Sequence, residues 1–207
     1  MIRHAVGLFL ALGTALSAAE PIVPGQVESC IRVECRGRLR HGVVARGGET
    51  TGTTVTFDRV TWELKLPDEA SRAFAALHHK EPIVVIGSLK QIAGTEIPAR
   101  WIVDVERISK WDARSQKDGA TVTVLGNLRA EDEKAAETAQ MTVEANGTIW
   151  PLDLSADETL PARARSFLSK KVVVNGLIER APESKVPLRM IIRVLKLDPP
   201  MDHTSRD

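Results

Sequence analysis

The sequence is poor in the residues that mark several protein classes. Its 207 residues include two cysteines, no tyrosine and 4% aromatic residues. Two cysteines are too few for a disulfide-dense miniprotein. With 43% hydrophobic and 27% charged residues, the composition is that of a globular protein rather than of an extended disordered chain or a collagen. Beyond residue 19 no apolar run approaches the roughly 20 residues that a membrane-spanning helix needs, which excludes a polytopic membrane protein.

An excess of one charge sign is also absent. The chain has 28 Lys and Arg against 27 Asp and Glu. When residues 20–207 are divided after Asp118, the first half has 15 basic and 14 acidic residues and the second has 12 and 13. Proteins that bind single-stranded nucleic acid combine a basic groove with stacking aromatic side chains. Neither half is basic and the aromatics are few, so nucleic acid is an unlikely partner on the sequence alone.

Motifs of catalysis are missing as well. The chain has no G-x-S-x-G elbow, no phosphate loop and no paired acids in a glycine turn. Gly47–Thr53 is glycine-rich but lacks the lysine of a phosphate loop, and we interpret it as a link between two strands. His78 and His79 are adjacent, without the i, i+4 spacing of a zinc helix, which favours a solvated helix end; His41 stands alone. We expect no catalytic residue, no metal, no cofactor and no enzyme activity.

The first 19 residues have the pattern of a secretory signal peptide. Arg3 and His4 precede the apolar stretch Ala5–Leu16, and small residues at 17–19 offer a cleavage site before Glu20. The alternative is a membrane anchor, but the apolar stretch of about 12 residues falls short of the roughly 20 that spanning requires. We therefore expect an exported protein, periplasmic or secreted, whose mature chain has no membrane span.

The mature chain repeats itself, which indicates two similar units. A shift of 89 residues pairs the two ends of the units, and a shift of 88 pairs their middle, as a one-residue change in loop length produces. The paired residues are Gly37 with Gly126, Leu39 with Leu128, Trp62 with Trp150, Leu64 with Leu152, Leu66 with Leu154, Val84-Val85 with Val173-Val174, Gly87 with Gly176, Pro98 with Pro187, Arg100 with Arg189, Ile102 with Ile191 and Val105 with Val194.

Each unit has the same predicted order of strands and one helix. Alternating apolar residues predict strands, a spacing of three and four predicts helices, and the dipeptide at 146–147 predicts a type I′ hairpin turn. In the first helix the predicted apolar stripe includes Phe74 and Leu77. The predicted elements are strands Arg32–Arg40, Thr53–Phe57, Val60–Leu66, Ile83–Leu89, Arg100–Ile108, Lys171–Ile178 and Leu188–Leu197, with helices Glu69–His78 and Leu160–Ser169.

The order β-β-β-α-β-β over about 90 residues is that of a five-stranded Greek-key barrel, and it resembles the OB-fold, whose helix lies between strands three and four. The fold class we expect is mainly β, with two tandem OB-like barrels; another small barrel or sandwich with one helix is the alternative. Gly47–Thr53, Trp62–Leu64 and Pro98–Val103 are also similar to uncharacterised exported proteins of planctomycete bacteria. The predicted organisation is a signal peptide at 1–19, domains at 20–110 and 120–198, a linker at 111–119 and a disordered tail at 199–207.

Three groups of residues are candidates for a site. Arg36, Arg38 and Arg40 share one face of a predicted strand, where guanidinium groups suit phosphate, sulfate or carboxylate. The alternative is a solvated face, or pairing with acidic residues such as those at 131–133. Trp62 and Trp150 share their face with leucines, which favours core packing over stacking on a ligand.

The third group is the pair of cysteines, Cys30 and Cys35. An exported protein permits a disulfide between them, but five residues along a continuous strand they point to opposite faces, so bonding would require a bend. Free or intermolecular thiols are the alternative.

These observations favour a non-enzymatic binding protein with an envelope or extracellular protein as partner. OB-folds often bind oligonucleotides or oligosaccharides, so the rival hypothesis is an anionic glycan, or a nucleic acid, bound through the arginine strand.

Overall fold

The computed structural model describes residues 29–44, 50–92, 100–112, 117–130, 140–181 and 190–200. In these residues the chain is mainly β-sheet with two helices. The elements are β1 Cys30–Val44, β2 Thr50–Phe57, β3 Val60–Lys65, α1 Glu69–Leu77, β4 Pro82–Ile92, β5 Arg100–Lys110, β6 Gly119–Ala130, β7 Met141–Ala145, β8 Thr148–Asp153, α2 Leu160–Ser166, β9 Lys171–Arg180 and β10 Met190–Asp198. No helix in the described ranges is long and apolar enough to cross a membrane.

The first repeat, β1 to β5, closes into a five-stranded barrel. Strand β1 is long enough to pair with β4 through its first half and with β2 through its second half, and β3 joins β2 to β5. The β4–β5 ladder completes the ring. Val33, Cys35 and Leu39 alternate along the inner face of β1 and are buried, with Trp62 on β3 among them. This is the alternation that the sequence predicts, because one face of a barrel strand faces the core.

The second repeat, β6 to β10, has the same pairings in the same order. β6 pairs with β7 and β9, β7 with β8, β8 with β10 in parallel, and β10 with β9. Both hairpins use two residues in left-handed conformation, with φ of 38° and 63° at Asp58 and Arg59, and of 50° and 70° at Asn146 and Gly147. Such turns match the twist of the flanking strands, which confirms the hairpin predicted at Asn146-Gly147.

Four glycines mark points where the barrel strands approach closely. A Cβ atom at Gly37 would lie 2.5 Å from the Thr56 carbonyl oxygen, and one at Gly126 would lie 2.4 Å from that of Glu144. At Gly87 and Gly176 the corresponding distances are 2.2 Å to the Asp104 oxygen and 2.5 Å to the Arg193 oxygen. The glycines that pair in the sequence repeat therefore have the same structural reason in both repeats.

The two repeats are joined by backbone and side-chain contacts. β1 and β6 pair antiparallel from Cys30 with Leu125 to Arg36 with Gly119. Ser29 Oγ donates to Asn146 Oδ1 at 2.9 Å, across from the second hairpin turn. The buried apolar residues of both repeats form a single cluster.

The helices form where the sequence predicts them, but one helix face differs. Asp68 caps α1, its carboxylate accepting a hydrogen bond from the Ser71 N–H at 2.7 Å. The predicted apolar stripe of α1 is confirmed at Phe74, which packs against the core, and is wrong at Leu77, which is 76% exposed. The fully buried residue of α1 is Ala75. In α2, Leu160 is buried as expected.

Some sequence predictions fall on parts of the chain that the structure leaves undescribed. Residues 1–19, most of the tail at 201–207 and 113–116 of the linker lie outside the described residues, so the signal peptide and the tail stay predictions. Gly119, which we assigned to the linker, begins β6.

The possible disulfide is not formed in the structure. Cys30 and Cys35 are both free thiols, because β1 is continuous through them and places them on opposite faces of the sheet. Burial raises the pKa of the Cys35 thiol well above its ordinary value.

Candidate functional site

The outer surface of the first barrel carries a group of cationic and hydroxyl side chains. Because Leu39 on β1 points into the core, Arg38 and Arg40 on either side of it point outward, and both are exposed. The ladder sets Arg38 opposite Thr56 of β2, and Thr56 opposite Thr61 of β3. We call Arg38, Arg40, Thr56 and Thr61 the arginine face.

The arginines of β1 differ in what compensates their charge. Arg36 donates to the Glu34 carboxylate at 2.5 Å, and Arg32 pairs with Glu106 at 2.6 Å. These two cations are neutralised by neighbours on the sheet. Of the three arginines that the sequence singled out, Arg36 is therefore already paired with a carboxylate and is a weaker candidate for binding an anion.

Arg38 and Arg40 have no acidic partner among the described residues. Arg38 Nη1 donates to the carbonyl oxygen of Lys80 at 3.3 Å, a neutral acceptor that leaves the charge uncompensated. The described part of the chain has no hydrogen-bond or ion-pair partner for the side chain of Arg40. The acidic cluster at 131–133, an expected alternative partner, lies outside the described residues. The Cα atoms of Arg38 and Arg40 are two strand residues, roughly 6.6 Å, apart along β1.

Acidic residues beyond the arginine face are already paired. The Glu63 carboxylate on β3 accepts two hydrogen bonds from Arg100, at 2.7 Å from Nε and 2.5 Å from Nη2. Asp104 on β5 is bonded by Lys90 and lies 3.5 Å from Lys65 Nζ. The hydrogen bond from Lys90 lowers the pKa of Asp104 below its ordinary value. These carboxylates are therefore compensated by their own cations rather than by Arg38 or Arg40.

Histidines lie at the border of the arginine face, where the end of α1 meets β1. The His41 backbone N–H donates to His79 Nδ1 at 3.0 Å, and His41 Nδ1 lies 2.8 Å from Thr53 Oγ1. His78 is 7% exposed, 3.0 Å from the Glu81 carboxylate, so its predicted solvated position is wrong. The hydrogen bond with His78 lowers the pKa of Glu81. Within the described ranges no group of three or more His, Cys, Asp or Glu is placed to hold a metal.

The corresponding face of the second repeat is neutral. The repeat aligns Arg38 with Asn127, Arg40 with Arg129 and Thr56 with Glu144. Arg129 Nη2 lies 2.6 Å from Glu144 Oε2, so its charge is compensated.

The paired tryptophans are in the core, as the sequence predicts. Trp62 is 0% and Trp150 1% exposed. Trp62 packs edge-on against Phe57 of its own hairpin, with 4.6 Å between ring centroids. Trp150 instead packs against Trp101 of the other repeat, at 4.8 Å. Neither paired tryptophan is available to stack on a ligand.

A closed five-stranded barrel in this strand order, with its helix between the third and fourth strands, is an OB-fold-like architecture. The comparisons agree on the fold. Two structures of the single-stranded DNA binding protein from Thermus aquaticus are similar to this chain. A deletion mutant has a TM-score of 0.54 at 16% sequence identity, over 84% of this chain and 96% of that one. The wild type has a TM-score of 0.52 at 14% identity, over 87% and 98%. No family model and no curated protein matches the sequence.

Sequence reasoning located the arginine strand but missed which charges around it are paired. The pairs Arg32–Glu106 and Glu63–Arg100 join residues 74 and 37 positions apart, which no local sequence pattern predicts. The difference between Thr56 and Glu144 was readable in the repeat alignment, at the shift of 88 that pairs the two tryptophans.

Proposed function

We propose that this protein is a non-enzymatic binding protein of two tandem OB-like barrels, which binds an extended anionic ligand on the arginine face of the first barrel. The observation that carries the proposal is the pair Arg38 and Arg40 on the outside of a closed barrel, two cations with no acidic partner among the described residues. Planar guanidinium groups recognise phosphate and sulfate through paired hydrogen bonds. The hydroxyls of Thr56 and Thr61, 3.0 Å apart, add neutral donors beside them.

Single-stranded nucleic acid is the first ligand to test. The structural neighbours are named for binding single-stranded DNA, and the likeness extends over almost their whole length. A shared fold does not by itself transfer function, so the support comes from the arginine face together with the fold. The large aromatic side chains of the described residues are buried or half-buried. We therefore expect binding through phosphate contacts with little base stacking, weak sequence preference and a strong dependence on salt.

The test is a fluorescence anisotropy titration of the protein with labelled oligothymidylate and with a heparin-like glycan, each at two salt concentrations. The double variant Arg38→Gln with Arg40→Gln should lose about tenfold or more in affinity at low salt and flatten the salt dependence. Arg72→Gln with Arg163→Gln is the matched control, because it also removes two exposed arginines, which pair with Glu69 and Asp198. Salt-insensitive binding, or equal effects of both variants, would contradict the proposal. The glycan titration shows whether phosphate or sulfate polymers are preferred.

A protein partner is a second candidate, favoured by one observation. Ile149 on β8 is 61% exposed, at the position that Thr61 has in the first repeat. Exposed large apolar residues are typical of protein docking surfaces when they cluster. The test is affinity capture from an envelope fraction with the wild type and with Ile149→Thr. A partner retained by the wild type and lost by the variant supports this function, and identical captures count against it.

Export is part of the proposal and is supported by the signal-peptide pattern at 1–19. Cell fractionation with N-terminal sequencing of the mature protein tests it. A chain that begins at Glu20 in the exported fraction is expected, and an intact Met1 in the cytoplasmic fraction would contradict it.

A further inference from the structure

We infer that only the first repeat binds the anionic ligand, and that the Glu144 carboxylate prevents binding at the equivalent face of the second repeat. The chain then binds one anionic strand, although its fold is duplicated. This inference rests on the proposed function and specifies which half of the molecule performs it.

The two faces have the same backbone geometry. Arg38 stands opposite Thr56 in the β1–β2 ladder, and Asn127 stands opposite Glu144 in the β6–β7 ladder. Two residues on, Arg40 stands opposite Thr54 and Arg129 stands opposite Thr142. A ligand lying across either hairpin would therefore meet side chains at matching positions, and only the side chains differ.

The two faces differ in charge at two positions, because the first repeat has one more cation and the second repeat has one more anion. At the first position the first repeat has Arg38 and the second has the neutral Asn127. Opposite this position on the neighbouring strand, the first repeat has the Thr56 hydroxyl, which contacts Thr61, and the second has the Glu144 carboxylate, 2.6 Å from Arg129. The arginine face is doubly positive, whereas the equivalent face has no net charge.

The Arg129–Glu144 ion pair is not strong enough by itself to prevent a ligand from binding at the second face. Both side chains are partly exposed, at 59% and 32%, and exposed ion pairs are weak. A phosphate chain could displace Glu144 from Arg129, but the carboxylate would stay beside the phosphate and repel it, since like charges at contact distance disfavour binding. In the first repeat the ladders place Glu63 in the row of Arg40, two strands away, and its carboxylate is bonded to Arg100.

Exchanging the two residues between the repeats tests the inference. Thr56→Glu brings the acidic residue of the second repeat into the first, and Glu144→Thr does the reverse. Each substitution introduces a residue that the same ladder position already accommodates in the other repeat, so both variants should fold, which a thermal melt verifies. Glu179→Thr is the matched control, because it removes a carboxylate that pairs with Arg193 elsewhere on the second repeat and changes the net charge equally.

The probe is labelled oligothymidylate of about 16 nucleotides, the upper end of the site size of one OB-fold. We expect the wild type to bind one oligomer per chain and Thr56→Glu to lose about tenfold in affinity. Glu144→Thr should raise the stoichiometry above one, or steepen the logarithmic salt dependence by about 0.7 for the arginine it frees, while Glu179→Thr behaves as the wild type. Two oligomers bound by the wild type, or equal behaviour of Glu144→Thr and Glu179→Thr, would overturn the inference and leave the proposed function standing. No binding by the wild type at low salt would overturn the proposed function itself.

Discussion

The two repeats share a backbone architecture and differ in the side chains that it carries. Strand order, hairpin turn type and the close approaches at Gly37, Gly126, Gly87 and Gly176 are the same in both. On the outside, Arg40 of the first repeat has no acidic partner in the described residues, whereas its counterpart Arg129 is paired. The comparison teaches that the positions which build the barrel are constrained by backbone contact, while the outward positions are free to set the charge of each face.

The interiors differ in a complementary way. In the first repeat the hairpin supplies Phe57 as the neighbour of Trp62. In the second repeat the position of Phe57 is taken by Ala145, which leaves Trp150 without an aromatic neighbour from its own hairpin. Trp101 of β5 packs against Trp150 instead. The core of the second repeat is thus completed by the first, whereas Trp62 finds its partner within its own repeat.

The largest effect on stability should come from substituting the glycines at which the barrel strands of both repeats approach closely. Gly87→Ala would place a Cβ 2.2 Å from the Asp104 carbonyl oxygen and 2.9 Å from Val103 Cγ1, and the β4–β5 ladder would have to shift. We expect a loss of about 3 kcal/mol in the free energy of unfolding, measured by chemical denaturation. Gly119→Ala is the control, because nothing lies within 4 Å of its Cβ position. Gly176→Ala should match Gly87→Ala, and a difference between the two would show that the repeats do not share this constraint.

Truncating the interior aromatics should distinguish the two repeats, at a cost in stability equal to or below that of the glycine substitutions. Phe57→Ala removes a side chain that is 1% exposed and should cost about 3 kcal/mol. Trp101→Ala, which removes a half-buried ring, should cost about 2 kcal/mol. Amide hydrogen exchange distinguishes where the loss falls, because local opening is read strand by strand. We expect Phe57→Ala to raise exchange in β2 and β3, and Trp101→Ala to raise it in β7 and β8 as well as in its own strand.

The control for this pair is Leu77→Ala, since Leu77 is 76% exposed and should change neither stability nor exchange beyond α1. If Trp101→Ala leaves exchange in β7 and β8 as it is in the wild type, the second repeat does not depend on the first for its core.

Much of this fold can be predicted, because alternating burial is a local sequence pattern and the internal repeat is found by comparing the sequence with itself. The inner face of β1, the hairpin at Asn146-Gly147 and the burial of both paired tryptophans follow from them. The contact of Trp101 with Trp150 does not, because it joins two repeats through residues that have no common period. The burial of His78 was missed for a different reason, since its neighbours are local. The sequence places it at a helix end, but the Phe74 ring, with 4.3 Å between ring centroids, and the Glu81 carboxylate cover it.

The charge of the candidate site shows the same limit to what sequence patterns can predict. Alternation along β1 put Glu34, Arg36, Arg38 and Arg40 on one face, but alternation does not show which side chains pair. The structure pairs Arg36 with Glu34, two residues away on the same strand, and gives Arg38 and Arg40 no acidic partner among the described residues. A sequence can therefore predict where the cations point, but not which of them form ion pairs.

The smallest effect should be a difference in acid sensitivity between the repeats. Asp104 of the first repeat is bonded by Lys90 and faces Lys65, and its counterpart in the second repeat is Arg193. The hydrogen bond from Lys90 lowers the pKa of Asp104 below its ordinary value of 3.8. A lowered folded-state pKa contributes stability that is present above the unfolded-state pKa and is lost as the pH falls through the folded-state value. Because Asp104 is partly exposed, we expect the contribution to stay below about 1 kcal/mol.

Asp104→Asn should therefore lower the free energy of unfolding slightly at neutral pH and have no effect at the acid end of the range, as measured by denaturation at a series of pH values from neutral downward. Hydrogen exchange should place the loss caused by Asp104→Asn in β3, β4 and β5 rather than in the second repeat. Asp153→Asn, on β8, is the matched control in the second repeat. An equal pH dependence for both variants would mean that the asymmetry between the repeats is confined to the arginine face and the core aromatics.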